Sequence, residues 1–143
     1  MENYVIDEIK WAKENMKKED FIGLPSLIKT VGEVAKAVIE GNGEEYRNKL
    51  IEVAAVCIRE ENSIEEIKAE RVRQNQKWGI QNHFPNVWLG ILVEEIGEVA
   101  QAICDDKIEE YKKELIQVAA VCVQAVYCLD RNGHKLKRLI KEV

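Results

Sequence analysis

Residues 93–103 read VEEIGEVAQAI and set Glu94, Glu95 and Glu98 among Val93, Ile96, Val99, Ala102 and Ile103. Side chains three or four residues apart share one face of a helix, so Glu95 and Glu98 project together. Further on, ELIQ at 114–117 gives Glu114 and Gln117 the same spacing, again inside an apolar stretch. If the two helices pack antiparallel, these four side chains converge. Carboxylates crowded into a partly buried cleft repel one another and retain protons unless a cation compensates them. Hard oxygen ligands of this kind select Mg²⁺ or Mn²⁺ over zinc, and Mg²⁺ keeps waters and commonly takes a substrate phosphate as well. A metal seat is one reading of the spacing. A solvated helix face is the other, because glutamates one turn apart are abundant on exposed helices.

The elements that would position these acids follow from an internal repeat. Residues 28–58 (IKTVGEVAKAVIEGNGEEYRNKLIEVAAVCI) align without a gap on 93–123 (VEEIGEVAQAICDDKIEEYKKELIQVAAVCV), at an offset of 65 and with 15 of 31 positions identical. The chain therefore reads as one domain of two repeats, 1–62 and 63–143. Periodicity predicts helices over about 3–18, 25–40 and 44–61, then 64–77, 86–104 and 107–130, with a short tail helix to the end. The breaks fall at Gly23-Leu24-Pro25, Gly41-Asn42-Gly43, Gly79 to Pro85 and Asn132-Gly133. Ser63 and Glu66 read as a capping box, and Pro25 and Pro85 suit the first turns of their helices.

Each repeat contains a hairpin with one apolar face. In the second the face is Leu89, Leu92, Val93, Ile96, Val99 and Ile103, then Leu115, Val118, Ala119 and Cys122. Gly97, Ala100, Ala119 and Ala120 are small enough to let helices approach closely. One hairpin cannot bury such a face, whereas two can bury it against each other. The expected fold is all-α: tandem duplicated helical hairpins forming a pseudo-twofold four-helix bundle with extra flanking helices.

Composition narrows the function classes. The 143 residues carry a net charge of −5, which disfavours nucleic acid and anionic membrane surfaces as partners. No apolar run approaches the roughly 20 residues of a membrane span. The first twenty residues, MENYVIDEIKWAKENMKKED, are amphipathic and acidic and do not read as a secretion signal. Cys57, Cys104, Cys122 and Cys128 form no CxxC pair and sit in apolar helical patterns, which reads as buried, reduced thiols of a cytoplasmic protein.

Three segments in order, RVRQNQKWGIQNH (71–83), WLGILVEEIGEVAQAI (88–103) and YKKELIQVAAVCV (111–123), resemble the MazG-like nucleotide pyrophosphohydrolases of the all-α NTP pyrophosphatase superfamily. The family signature is EExxE, a spacer, then ExxD. The resemblance is close over about 65–130 and reaches the first half through the repeat. It implies hydrolysis of a nucleoside triphosphate between the α- and β-phosphates, to a monophosphate and pyrophosphate. It implies Mg²⁺, with Mn²⁺ as a substitute, on Glu95, Glu98, Glu114 and Gln117, with Glu94 leading the signature as a fourth catalytic acid. It matches Trp78, Gln81 and His83 to a base pocket, where a tryptophan stacks and the other two read the base edge. Lys113 and Lys112 lie near the acids in sequence, so Lys113 is expected at the phosphates; a solvated lysine pair is the alternative. Core packing is the alternative for Trp78 and Trp88, and capping of the next helix for His83. Family enzymes are generally homodimers.

Two departures bear on activity. Gln117 stands where the signature has Asp and offers a neutral oxygen in place of a charged one. In the first half, Lys29, Thr30, Glu33, Lys49 and Glu52 stand at the places of Glu94, Glu95, Glu98, Glu114 and Gln117, and Lys13, Met16 and Lys18 at those of Trp78, Gln81 and His83. The acid set and the base pocket are both broken there, which reads as a half kept for architecture, a built-in partner whose Lys29 or Lys49 reaches across to the phosphates. Beside the enzyme stand two further readings: a catalytically silent nucleotide-binding protein, and a structural or interaction module with the same fold.

Overall fold

The computed structural model describes the backbone of residues 3–17, 23–58 and 61–142, and the side chains of these as far as residue 133. Six helices account for the described chain: α1 (Tyr4–Glu14), α2 (Leu24–Glu40), α3 (Gly43–Val56), α4 (Ser63–Trp78), α5 (Pro85–Cys104) and α6 (Ile108–Glu142). The fold is all-α.

Local chemistry accounts for the ends. Pro25 and Pro85 sit in the first turns of α2 and α5, where a missing N–H costs no hydrogen bond. Gly41 closes α2 at φ 65°, and the next helix starts from Asn42, whose side chain accepts from the Glu45 N–H at 3.0 Å. The turn after α5 repeats this arrangement. Asn42 N donates to Ala37 O at 3.0 Å and Lys107 N to Ala102 O at 2.9 Å; Gly41 N donates to Val38 O and Asp106 N to Ile103 O, both at 3.1 Å. Asp106 takes the place of Gly41 at φ 56°, a conformation that short polar side chains enter at some cost. At Gly133 (φ 40°) α6 kinks, at the break the Asn132-Gly133 pair predicts.

Several boundaries differ from expectation. α1 stops at Glu14, where the Asn15 amide turns back to donate to Trp11 O at 2.8 Å. α3 ends at Val56, because Cys57 N and Ile58 N bond three residues back and tighten the last turn. The Ser63–Glu66 capping box does not form. Asn62 is the cap residue, and Ser63 is already inside the first turn and buried. The Asn62 side chain instead donates to Glu66 Oε1 at 2.5 Å.

α2 packs on α3 and α5 on α6, while α3 meets α6 and α2 meets α5, so the four hairpin helices close a ring of contacts. α1 lies on α3, and α4 on α6. The core combines Val34, Leu50, Val53 and Ala54 with Leu92, Val99, Val118, Ala119 and Cys122. Burying a fully enclosed Leu or Val stabilises by about 1.5–3 kcal/mol. Arg47 ties three helices together at the rim, with Nη1 2.6 Å from Glu8 and Nε 2.9 Å from Asp130.

The phase of α5 is not the expected one. Its buried residues are Pro85, Trp88, Leu92, Val99 and Ala102, at heptad-like steps of three, four and seven, whereas Val93 and Ile103 are exposed. Glu95 falls on the inner stripe, between Leu92 and Val99. Gly97 faces open space and separates no helices; Ala119 and Ala120 are the small residues that are buried. Cys57, Cys122 and Cys128 are buried and outside any disulfide, but Cys104, at the end of α5, is exposed. No helix among the described residues is long and apolar enough to cross a membrane.

Candidate active site

α4 and α5 both pack on α6, and a cavity of about 510 Å³ opens among the three. One stripe of each helix lines it. α4 contributes Glu70, Gln74, Lys77 and Trp78, α5 contributes Trp88, Ile91 and Glu95, and α6 contributes Gln117, Val121 and Gln124. Gln81 adds to it from the α4–α5 loop and Arg73 from α4. The steps of three and four residues along each helix are those of a single face.

Glu95 and Gln117 line one end of the cavity; the other expected acids, Glu94, Glu98 and Glu114, are not part of its lining. Glu114 is buried, Glu95 half-buried, and Glu94 and Glu98 exposed. Burial, then the charges of Glu95 and Glu98, push the Glu114 carboxyl up to about 7. Burial and then the charge of Glu98 also raise Glu95, against a hydrogen bond from Glu114 that lowers it. With its amide nitrogen facing the acids, Gln117 donates to Glu95 Oε2 at 3.1 Å and to Glu114 Oε2 at 3.2 Å. Glu95, Glu114 and Gln117 therefore meet at one point, and Glu98 acts on both acids through its charge. Among the described residues no group of three or more His, Cys, Asp or Glu side chains forms a preformed metal cage. Burial and neighbouring charge still hold Glu95 and Glu114 above the ordinary carboxyl range, and a hard cation that retains part of its water shell suits such a place.

The other end is aromatic and amide-lined. Trp88 is buried, with no hydrogen-bond partner for its indole Nε1. The core-packing alternative describes Trp88 well. Trp78 is 57% exposed at the rim, and Lys77 Nζ lies 4.6 Å from its ring centroid. Core packing does not describe Trp78. Gln81 reaches the cavity, and His83 stands behind it: Nε2 is 2.8 Å from Gln81 Oε1, and the ring meets Trp88 edge-on with centroids 4.9 Å apart. His83 neither lines the cavity nor caps α5, whose cap residue is Phe84. Gln74, buried on α4, accepts from the Gln124 amide on α6 across the cavity floor.

The structure does not bring Lys113 to this cavity. Lys113 and Lys112 line a separate one with Ser63, Glu66 and Glu110, because they are one and two residues before Glu114 and project from other faces of α6. Lys29 and Lys49 line a third cavity in the first half and do not reach the acids of the second. Lys13 and Met16 are described, whereas Lys18, at the place of His83, lies outside the described residues.

Glu70, Arg73, Gln74, Lys77 and Gln124 line the cavity without having been singled out in the sequence. Their signal was available: 70, 74 and 77 on α4, and 117, 121 and 124 on α6, both follow the i, i+3 or i+4, i+7 rhythm. No protein-family model, curated protein or solved structure matched the chain.

Proposed function

We propose that the chain is a Mg²⁺-dependent nucleoside triphosphate pyrophosphohydrolase of MazG-like type, releasing a (d)NMP and pyrophosphate from a (d)NTP. The observation that carries this reading is the two-ended cavity, with Glu95, coupled to Glu98 and Glu114 behind it, at one end and indole and amide groups at the other. A nucleotide has the same polarity, since its phosphates need a cation and its base needs a flat apolar wall with a few hydrogen-bonding groups. Glu95, Glu98 and Glu114 would hold Mg²⁺, with the Gln117 oxygen as a further, neutral ligand. The crowding of Glu95 and Glu114 by burial and by the charge of Glu98 is the fit between these residues and a divalent cation.

Trp78 stacks on the base from the rim, and Gln81, oriented by His83, reads its edge. Arg73, paired with Glu70, and Lys77, beside Trp78, add positive charge to the cavity wall. When bound, Mg²⁺ would activate the attacking water and neutralise charge on the leaving pyrophosphate. Burial of Glu114 excludes solvent from the acid end and strengthens every charge interaction there. The first repeat, residues 1–62, serves as a built-in partner for the second, 63–143, and places one such site in each chain. A homodimer of these chains and a cytoplasmic location, where four cysteines outside any disulfide stay reduced, complete the reading.

A silent nucleotide binder is the second reading. The Gln117 amide favours it, because a donor bridging Glu95 and Glu114 quiets their repulsion without a metal. A structural or interaction module, which needs neither nucleotide nor metal, is the third. Pyrophosphate release from a panel of NTPs and dNTPs with Mg²⁺ or Mn²⁺, beside a Glu98→Gln control, separates them. Release that disappears in the control supports the enzyme. Nucleotide binding without release supports the silent binder, and the absence of both supports the module.

A further inference from the structure

The cavity of the first half, about 430 Å³, lies between α1, α2 and α3 and is lined by Trp11, Lys29, Thr30, Glu33, Lys49 and Glu52 among others. At the repeat offset of 65, its Thr30, Glu33, Lys49 and Glu52 stand where the second half has Glu95, Glu98, Glu114 and Gln117. Lys49 is not a free cation in this cavity. Its Nζ is 3.0 Å from Glu33 Oε2 and 3.0 Å from Glu52 Oε2, and its side chain is only 20% exposed. Thr30 is satisfied on its own helix, its hydroxyl donating to Ser26 O at 2.8 Å.

At these four matched positions the charges of the two halves differ in a simple way, and Lys29 adds a further positive charge to the first-half cavity. Glu95, Glu98 and Glu114 sum to −3 when ionised, and a divalent ion brings that to −1. Glu33, Glu52 and Lys49 sum to −1 with nothing added. Exchanging a carboxylate for an ammonium adds two positive charges, the charge of a divalent ion, and Lys49 stands at the place of Glu114, the buried acid.

We propose that Lys49 is the resident cation of a second acid site, so that the first-half cavity is compensated permanently by the chain and excludes metal, while the second-half cavity takes its cation from solution. The metal at the second half rests on the function proposed above; the position of Lys49 between two acids does not. One exchangeable divalent ion per chain is the consequence. The ammonium holds α2 to α3 through Glu33 and Glu52, as the ion would hold α5 to α6 through Glu95, Glu98 and Glu114.

The test counts Mn²⁺ bound per chain by titration calorimetry, in the full-length protein and in Lys49→Glu, with folding checked by circular dichroism. The expected result is one more Mn²⁺ in Lys49→Glu than in the unaltered chain. A count of one rising to two supports both this inference and the metal reading. A count of none rising to one supports the inference and sinks the metal reading. A folded Lys49→Glu chain with an unchanged count overturns the inference.

If Lys49→Glu does not fold even with Mn²⁺, melting temperatures decide. Lys49→Met strands two facing acids and is expected to melt roughly 3–5 °C lower, and adding Glu33→Gln and Glu52→Gln to it is expected to restore the loss. A Lys49→Met chain that melts with the unaltered one, or a triple variant that recovers nothing, overturns the proposal.

Discussion

Replacing Glu114 with Gln removes the buried carboxylate of the candidate site and leaves its shape nearly intact. Burial and the charges of Glu95 and Glu98 move this carboxyl from its ordinary 4.5 up to about 7. The unfolded chain releases the proton near the lower value and the folded chain near the higher one. Between them the folded state binds more protons, so the contribution is fully present below about pH 4.5 and is lost as the pH rises through about 7. One pKa unit is worth about 1.36 kcal/mol, which places the full loss at roughly 3 kcal/mol. Relaxation and water entry at the cavity reduce it, and about 1–3 kcal/mol is expected. Titrating groups outside the acid end are common to both proteins and largely cancel in the difference, whereas Glu95, hydrogen-bonded to Glu114, shifts with it.

The assay is urea unfolding followed by circular dichroism, in a chelator, at about pH 4.5, 6 and 8. Glu114→Gln is expected to equal the unaltered chain at the lowest pH and to exceed it by about 1–3 kcal/mol at the highest, with an unchanged m value. Millimolar Mg²⁺ at pH 8 is expected to close that gap by stabilising only the unaltered chain. Stability curves that run parallel at all three pH values, or a variant that is the less stable at pH 8, would show that burial and neighbouring charge do not hold this carboxyl up.

Five further outcomes follow from the structure. Trp78→Ala is expected to raise KM for nucleotides about tenfold or more, on the scale of about 1–3 kcal/mol per stacked base, with little change in melting temperature because the side chain is largely exposed; steady-state kinetics and a melt check both. Lys113→Ala is expected to leave nucleotide turnover within about twofold, on the scale of surface charge effects, since it lines a different cavity; the same kinetics decide. Leu92→Ala, in the core beside the site, is expected to lose about 2–5 kcal/mol in denaturant unfolding. Asp106→Gly is expected to gain about 1 kcal/mol by relieving a left-handed backbone, and Gly41→Ala to lose about as much at the equivalent turn, both read from thermal melts.

The sequence by itself determined the helices, the breaks between them and the one-turn pairing of Glu95 with Glu98 and Glu114 with Gln117. These are local matters, because Gly41, Gly79 and the proline at 85 act through their own backbone torsions and a spacing of three or four residues is set by the helix repeat. The repeat showed directly which positions of the two halves correspond.

Only the tertiary structure decided how far each helix turns about its own axis, since that depends on what it packs against. It brought Glu95 onto the inner stripe, left Val93 and Ile103 outside, and buried Glu114 while leaving Glu98 at the surface. It separated Lys113 from Glu114, neighbours in the chain, into different surroundings, and joined Gln74 to Gln124 from 50 residues apart. It also set Lys49 between Glu33 and Glu52, where the sequence showed only a lysine in an acid's place. Periodicity gives the spacing along a face; which face looks inward follows from the apolar surface that several helices bury together, and no single segment carries that information.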